Sequence, residues 1–313
     1  MINEVLFKIP EMYLAGVQSG SLIRFGSILK EAGTGKIVAH LQETGLGQQM
    51  LSTALGSISS PLSLVPDIAQ TVMAYQALGK LNEIKDAIHV LQSLQIATLG
   101  VSVVGLGVSL AGFVYLKTRL DKVDSKIEEV LSLIRSERAA TFRARFSRLK
   151  GLVASSIQAY SMSNPDYEYA RIAEELAIEA AFYEEELLFL TKSAVNIDLQ
   201  AFGQLSQRLL LCNSLRIDCR VRSNELFNAQ VISESVASSY ALVFDDLTPS
   251  SFIGEQADRE AICLNLREIS EFSSTKAHLL YDLRRTGVIG SEYMQKIEAG
   301  SNNAFLLLRS TSS

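Results

Sequence analysis

The chain has 313 residues, of which 48% are hydrophobic and 20% charged, with 19 glycines, 5 prolines, 3 cysteines and no tryptophan. This length suffices for one large domain or two ordinary ones, and the composition excludes a collagen-like chain, low-complexity disorder and a disulfide scaffold. A net charge of -5 at pH 7 argues against a general nucleic-acid binder.

Residues 1–48 predict a small N-terminal module. Its first residues contain no basic region followed by an apolar stretch, so we expect no Sec signal peptide and a cytoplasmic origin. Residues 21–30 and 36–43 are runs of strand length, separated by a glycine-containing turn at 31–35. This pattern predicts a β-hairpin. Because a lone hairpin is only marginally stable, it should pack on helices or on another copy.

The same module contains Gly35 and Lys36, which suggest a phosphate-binding loop, but the motif fails. Lys30 stands where the first glycine should be, and Ile37 replaces the Ser or Thr that would bind magnesium. No two histidines have the i, i+4 spacing of zinc sites on helices; the three are His40, His89 and His278. We therefore expect no cofactor and no metal.

Residues 49–66 are uncharged, rich in serine and interrupted by two prolines, which is typical of a linker or a loosely ordered apolar loop. Residues 67–137 predict a long helical region. It starts with Asp67 as N-cap of an amphipathic helix, whose apolar residues recur every three or four positions.

Segment 94–116 is the most apolar part of the chain. No charged residue occurs between Asp86 and Lys117, and as a helix the segment would span about 35 Å, against about 30 Å of bilayer hydrocarbon. We predict that it inserts into a membrane. The side chains expected to face lipid are Leu99, Val103, Val104, Leu106, Val108, Leu110 and Phe113.

Small residues in this segment suit close helix packing. Their small-xxx-small spacings, as in Gly105/Ser109 and Gly107/Ala111, are those of helix pairs in membranes. The predicted packing positions are Gly105, Gly107, Ser109, Ala111 and Gly112. The alternative is a central helix of a large bundle, apolar all round because other helices cover it. The sequence leaves both interpretations open.

Charge returns directly after the apolar segment. Lys117, Arg119 and Lys122 are predicted to contact lipid headgroups, on a side that the positive-inside rule would place in the cytoplasm. Apolar residues at 116–134 follow a short heptad seam, which indicates a coiled-coil-like helix and a possible protein partner. An intramolecular helix pair explains the seam equally well.

Residues 138–309 predict a helical bundle domain. Helices are expected at 138–163, 166–192, 198–223, 224–244 and 254–285, with a break at Pro165 and a turn at 245–250 that precedes a helix start near Phe252. The first helix begins with basic residues and the second is acidic. In an antiparallel pair the two would face each other, although the basic cluster could instead contact anionic lipid.

Apolar stripes on these helices predict the core. The first comprises Leu199, Phe202, Leu205, Leu209 and Cys212, the second Leu226, Val231, Tyr240 and Val243, and the third Leu264, Ile269, Phe272, Leu279 and Leu283. The odd cysteine count and lack of paired spacing favour a reducing compartment and buried packing thiols at Cys212, Cys219 and Cys263. No Ser-His-Asp or Cys-His set stands out, so we expect no enzymatic activity.

The expected fold is all-α: an elongated bundle of long amphipathic helices with a central glycine-rich apolar helix and a small N-terminal β-hairpin module. Across residues 67–285, this layout resembles the α-helical pore-forming toxins of the cytolysin A kind. The resemblance implies a protein that oligomerises and inserts its apolar segment into a lipid membrane on a trigger. It identifies no functional residues.

Two other functions remain compatible with the sequence. In one, the chain is a non-enzymatic helical scaffold or self-assembling interaction protein, with 94–116 as its core. In the other, it is a constitutive single-pass membrane protein with a cytoplasmic helical domain. Each of these hypotheses depends on what surrounds segment 94–116.

Overall fold

The computed structural model describes residues 9, 11–25, 28–41, 136–193, 196–299 and 308–309. The predicted linker at 49–66, the amphipathic helix from Asp67, the apolar segment 94–116 and the heptad seam lie outside these residues. The described part is mostly helical with a small N-terminal antiparallel sheet, as expected from the sequence.

Within residues 11–41 of the N-terminal module, the structure describes one short helix and three strands: α1 (Glu11–Gln18), β1 (Leu22–Phe25), β2 (Ile28–Glu31) and β3 (Ile37–His40). The run at 21–30, expected as one strand, forms two strands that pair with each other, with Phe25 opposite Ile28. The predicted turn is confirmed: Gly35 donates its N–H to the Glu31 carbonyl and has a φ of 68°, a conformation that glycine adopts without strain.

A further strand near the C-terminus, β6 (Leu308–Arg309), pairs with β3 and places residues 308–309 beside the N-terminal strands. The sheet order is β1-β2-β3-β6. Short strands of this kind are unstable alone. Leu29 and Leu41 belong to the same buried apolar cluster as the helices, so the module packs on the helical body.

The described residues contribute six helices to that body: α2 (Ser136–Ala159), α3 (Pro165–Ser193), α4 (Leu199–Arg222), α5 (Leu226–Phe244), α6 (Gln256–Arg285) and α7 (Gly290–Ala299). The five predicted helices correspond to α2–α6, while α1 and α7 were not predicted. Pro165 opens α3, where the missing N–H costs nothing. In the body, α3 packs along α4 and α5 along α6, and α4 also contacts α5 and α7.

The predicted helix start near Phe252 is wrong. A turn of 3-10 helix at Pro249–Ser251 leads into β5 (Phe252–Ile253), and α6 begins only at Gln256. Strand β5 pairs in parallel with β4 (Ile197–Asp198). The ring of Phe252 packs edge-on against the ring of Phe202, with 5.1 Å between the ring centroids. Burial of this aromatic side chain therefore favours an extended connection here.

The apolar stripes are confirmed where the steps are three or four residues. Phe202, Leu209 and Cys212 are buried on α4, and all three cysteines are buried free thiols. Val231 and Leu264 are wrongly predicted as core, because they are 46% and 55% exposed. Each was grouped with a residue five positions away, and a five-residue step carries a side chain to another helix face.

The C-terminal end of α4 packs tightly against the starts of α3 and α7. Asn224 adopts a φ of 61°, and its side chain accepts a hydrogen bond from the Ser291 N–H and donates one to Asp166. This single side chain therefore connects the starts of α3 and α7. At Gly290, an added Cβ would lie 2.1 Å from the backbone oxygen of Val221.

We predict that Gly290→Ala destabilises the protein by about 1–3 kcal/mol, because the methyl group would meet a carbonyl oxygen that cannot rotate away. Gly151→Ala is the matched control. Gly151 lies in the middle of α2 with open space around its Cβ position, so alanine there should stabilise by about 0.5–1 kcal/mol. Urea unfolding followed by circular dichroism measures both. Equal effects of the two changes would contradict the close approach of α7 to α4.

Candidate functional site

The predicted membrane and headgroup residues all fall in 99–122, outside the described residues. Their lipid-facing, packing and headgroup-contacting roles stay predictions. Among the described helices, none is both long enough and apolar enough to cross a membrane. The described residues bring together two other groups of polar side chains whose chemistry could serve a function.

The first group is a buried histidine–carboxylate pair between the sheet and the helical body. The Nε2 atom of His40, at the end of β3, lies 2.6 Å from Oδ2 of Asp282 on α6. The imidazole is 1% exposed and the carboxylate 17% exposed. His40 also stands opposite Ile28 in the sheet, so strand pairing fixes the position from which its ring reaches α6.

The helix end positions the carboxylate. Asp282 lies in the last turn of α6, where Thr286 donates its hydroxyl to the Asp282 carbonyl and closes the helix. The Arg285 Nε lies 3.8 Å from Oδ1, the oxygen that does not face His40. The two oxygens of Asp282 are thus oriented toward different partners.

The other ring nitrogen of His40, Nδ1, is buried and has no hydrogen-bond partner among the described residues. Burial lowers the pKa of His40 below 6.5, an effect that His278 adds to and that Asp282 opposes through its hydrogen bond and charge. The imidazole is therefore neutral at pH 7. A neutral ring accepts a proton only when its surroundings can stabilise the charge.

A histidine–carboxylate pair is also part of many catalytic sites. A nucleophilic mechanism would require a hydroxyl or thiol within hydrogen-bond distance of the second ring nitrogen. In the part of the chain that the structure describes, no such group reaches Nδ1. The same residues also bring together no cluster of His, Cys, Asp or Glu side chains that could hold a metal. The pair instead connects two structural modules.

The second group is a buried carboxylate between α2 and α3. Glu179 is fully buried, and its Oε1 lies 3.1 Å from Nη1 of Arg145 and 3.4 Å from Nε of Arg148. The Nη2 atom of Arg148 also lies 3.4 Å from Oε2 of Glu175. The predicted facing of basic and acidic helices is confirmed for these residues. The pairing of 145 with 179 and 148 with 175 shows that the two helices are antiparallel.

Burial suppresses the ionisation of tyrosine and cysteine side chains in the helical body, including two that are close to Glu179. Burial raises the pKa of Tyr183 and of the Cys212 thiol, both of which are within electrostatic range of Glu179. Burial also raises the pKa of Cys219, to about 12. Because the thiolate is the reactive form, these cysteines are poor nucleophiles at neutral pH. Their burial agrees with the predicted role of packing thiols.

Sequence reasoning missed both groups as sites. His40 and Asp282 are 242 positions apart, and each alone is an ordinary residue of a strand or a helix end. Within 138–192 the only available signal was the opposite charge of two adjacent helices, which identified the pairing but not the buried member. No family model, no curated protein and no solved structure matches this chain, so these observations rest on the molecule itself.

Proposed function

We propose that this protein is membrane-active: a pore-forming or membrane-disrupting effector whose described helices form the body and whose segment 94–116 inserts conditionally into a bilayer. The proposal includes an elongated bundle with a central glycine-rich apolar helix, and assembly of several copies. It is a binding and insertion function, without enzymatic chemistry.

The observation that carries the proposal is the contrast in charge between 94–116 and the described helices. Each helix from α2 to α6 contains charged side chains, and some are buried, such as Glu179 and Asp218, whose Oδ1 atom lies 2.9 Å from Nζ of the half-buried Lys276. Segment 94–116 has no charged residue. A segment of that length without charge enters hydrocarbon at far lower cost than any of those helices would.

The energetic margin of insertion is small. Twelve Leu, Ile, Val or Phe residues in 94–116 contribute roughly -4 to -7 kcal/mol in total toward insertion. Four glycines and several polar residues oppose that gain. A small net preference suits a segment that is sheltered by protein in one state and inserted in another, better than it suits a permanent anchor.

The test is dye release from liposomes with purified full-length protein. Phosphatidylserine-containing vesicles should leak, and the bound protein should resist a high-salt wash and be released only by detergent. Retention through the salt wash without leakage would indicate an anchor and contradict pore formation. Binding that salt removes would indicate a peripheral contact and contradict insertion.

A second candidate function, a self-assembling interaction protein, is favoured by a surface aromatic cluster. The guanidinium of Arg284 on α6 stacks 5.0 Å from the ring of Phe227 and 5.8 Å from the ring of Tyr281. Phe227 is 60% exposed and Tyr281 46% exposed. Exposed aromatic rings and arginine are the side chains most enriched at interfaces between proteins. The occupant that this candidate requires is a second copy of the chain.

For this candidate we predict that Phe227→Ser combined with Tyr281→Ser shifts the protein toward monomer. If each ring contributes about 1–2 kcal/mol, the dissociation constant should rise by at least about thirtyfold. Sedimentation equilibrium measures the shift. Tyr167→Ser is the matched control, because Tyr167 is equally exposed, at 61%, near the start of α3. A monomeric wild-type protein, or an equal shift with the control, would contradict the assembly surface.

A further inference from the structure

We propose that the contact between His40 and Asp282 is an acid-sensitive junction: acidification charges the imidazole and detaches the N-terminal sheet from α6. The junction itself is independent of membrane activity. Only its consequence, an acid-triggered exposure that precedes insertion, rests on the proposed function. The observations that carry it are the 2.6 Å hydrogen bond, the 1% exposure of the ring and the unpartnered Nδ1.

The position of the proton decides the behaviour of this pair. An ionised carboxylate can only accept a hydrogen bond, so the Nε2 atom of His40 must carry the hydrogen that faces Asp282. A second proton must therefore be added to Nδ1. That atom is buried without an acceptor among the described residues, and a charged N–H left unsatisfied in the interior is strongly unfavourable. In the detached state, water would satisfy it.

The charges around the ring have opposing effects. Asp282 favours the charged imidazole, but Arg285 lies 3.8 Å from the same carboxylate and competes for it. His278, one turn earlier on α6, disfavours it. On the sheet side, the residues paired with His40 are Ile28 and Leu308, which carry no charge. Burial outweighs the attraction of Asp282, which is why the pKa of His40 is lowered.

The direction of the pH effect follows from this lowered pKa. Well above pH 6.5, the usual pKa of histidine, the ring is neutral in both the docked and the detached state, and the junction has its full stability. As the pH falls below 6.5, the detached state binds a proton and the docked state does not. Detachment should then increase by up to about tenfold per pH unit, until the docked ring also titrates.

Hydrogen exchange of the full chain in the absence of lipid, at pH 7.5 and 5.5 and corrected for intrinsic rates, tests the junction. We expect peptides covering β2 and β3 to lose protection at pH 5.5, while peptides from α3 and α4 keep theirs and show that the helical body stays folded. The variant His40→Gln retains an N–H at the position of Nε2 but cannot be charged. It should dock at pH 7.5 and lose the acid-induced change.

The remaining histidines provide matched controls. The chain contains only three, so His278→Gln and His89→Gln complete the set. His89→Gln should leave the profile unchanged, and His278→Gln should shift detachment to lower pH because a repulsive neighbour is removed. If His40→Gln does not fold, Asp282→Asn serves instead: it removes the charge that favours the protonated ring in the docked state, so the docked pKa of His40 falls further and detachment should shift to higher pH, opposite to His278→Gln.

The proposal is overturned if wild-type β2 and β3 are equally protected at both pH values, or if His40→Gln retains the wild-type acid response. The same samples mixed with liposomes then address the consequence. Leakage that increases at pH 5.5 in wild type but not in His40→Gln supports acid-triggered insertion. If no leakage occurs at either pH while the hydrogen-exchange response is intact, the proposed function is contradicted and the acid-sensitive junction is still supported.

Discussion

Val104→Lys is expected to abolish leakage of anionic liposomes while leaving the purified protein as helical as wild type. A lysine near the centre of a membrane-spanning helix opposes insertion by about 2.5–3.5 kcal/mol, and the valine contribution is lost as well. The estimated gross gain from the segment is only roughly -4 to -7 kcal/mol before its polar residues are counted. One charge therefore removes most or all of the net preference for the bilayer.

Val104→Leu is the matched control, because it keeps the segment apolar and should retain leakage. Gly105→Glu provides a second charged variant at the adjacent position, with the opposite sign, and should have the same effect as lysine. Circular dichroism and size exclusion establish that each protein is folded. If the charged variants instead unfold a protein that never binds vesicles, 94–116 is the core of a bundle and the membrane proposal is wrong.

Removing both cations that face Glu179, by Arg145→Met and Arg148→Met, is expected to destabilise the protein by about 3–5 kcal/mol. Glu179 is fully buried, whereas the arginines are 32% and 42% exposed. Without them, this buried carboxylate would lose the two counter-charges that lie 3.1 and 3.4 Å from its Oε1 atom. Because the total stability of a domain is commonly only 5–15 kcal/mol, this loss is large. The midpoint and slope of urea unfolding measure it.

Removing the buried carboxylate instead of the two arginines should lower the free energy of unfolding much less. Glu179→Met leaves two arginines that can turn toward water, and methionine fills a similar volume with a flexible apolar chain. Adding Glu179→Met to the double arginine variant should therefore recover most of the lost stability, since a buried ion group replaced as a whole by apolar side chains is often neutral or better. A triple variant as unstable as the double would contradict a buried charge as the cause.

The helical part of the fold was predictable because its signals are local. Apolar residues at steps of three and four, together with the break at Pro165, are properties of adjacent residues, and the structure begins and ends α2–α6 within a few positions of the predicted bounds. The failures are equally local in origin. Val231 and Leu264 were assigned to stripes across five-residue steps, and α7 is too short to show a clear period.

The sheet was predicted only coarsely. Strand-length runs and a glycine turn indicated a hairpin, but the division of 21–30 into β1 and β2 was missed, although Gly26 and Ser27, which follow Phe25, are a residue pair typical of two-residue hairpin turns. Pairing of β6 with β3, and of β5 with β4, joins residues far apart in the chain. Such pairings carry no periodic signal within either partner.

The amino-acid sequence by itself determined the helical class, the helix positions, the thiol character of the cysteines and the charge-free segment 94–116, because each of these is a property of neighbouring residues. Only the tertiary structure decided which polar groups meet. His40 becomes a buried base beside Asp282, and Glu179 the one fully buried member of its ion pairs, because strands and helices distant in sequence pack there and remove water. The protonation behaviour of such groups depends on their burial and on the charges and hydrogen bonds around them. Neither can be predicted from the pattern of neighbouring residues in the sequence.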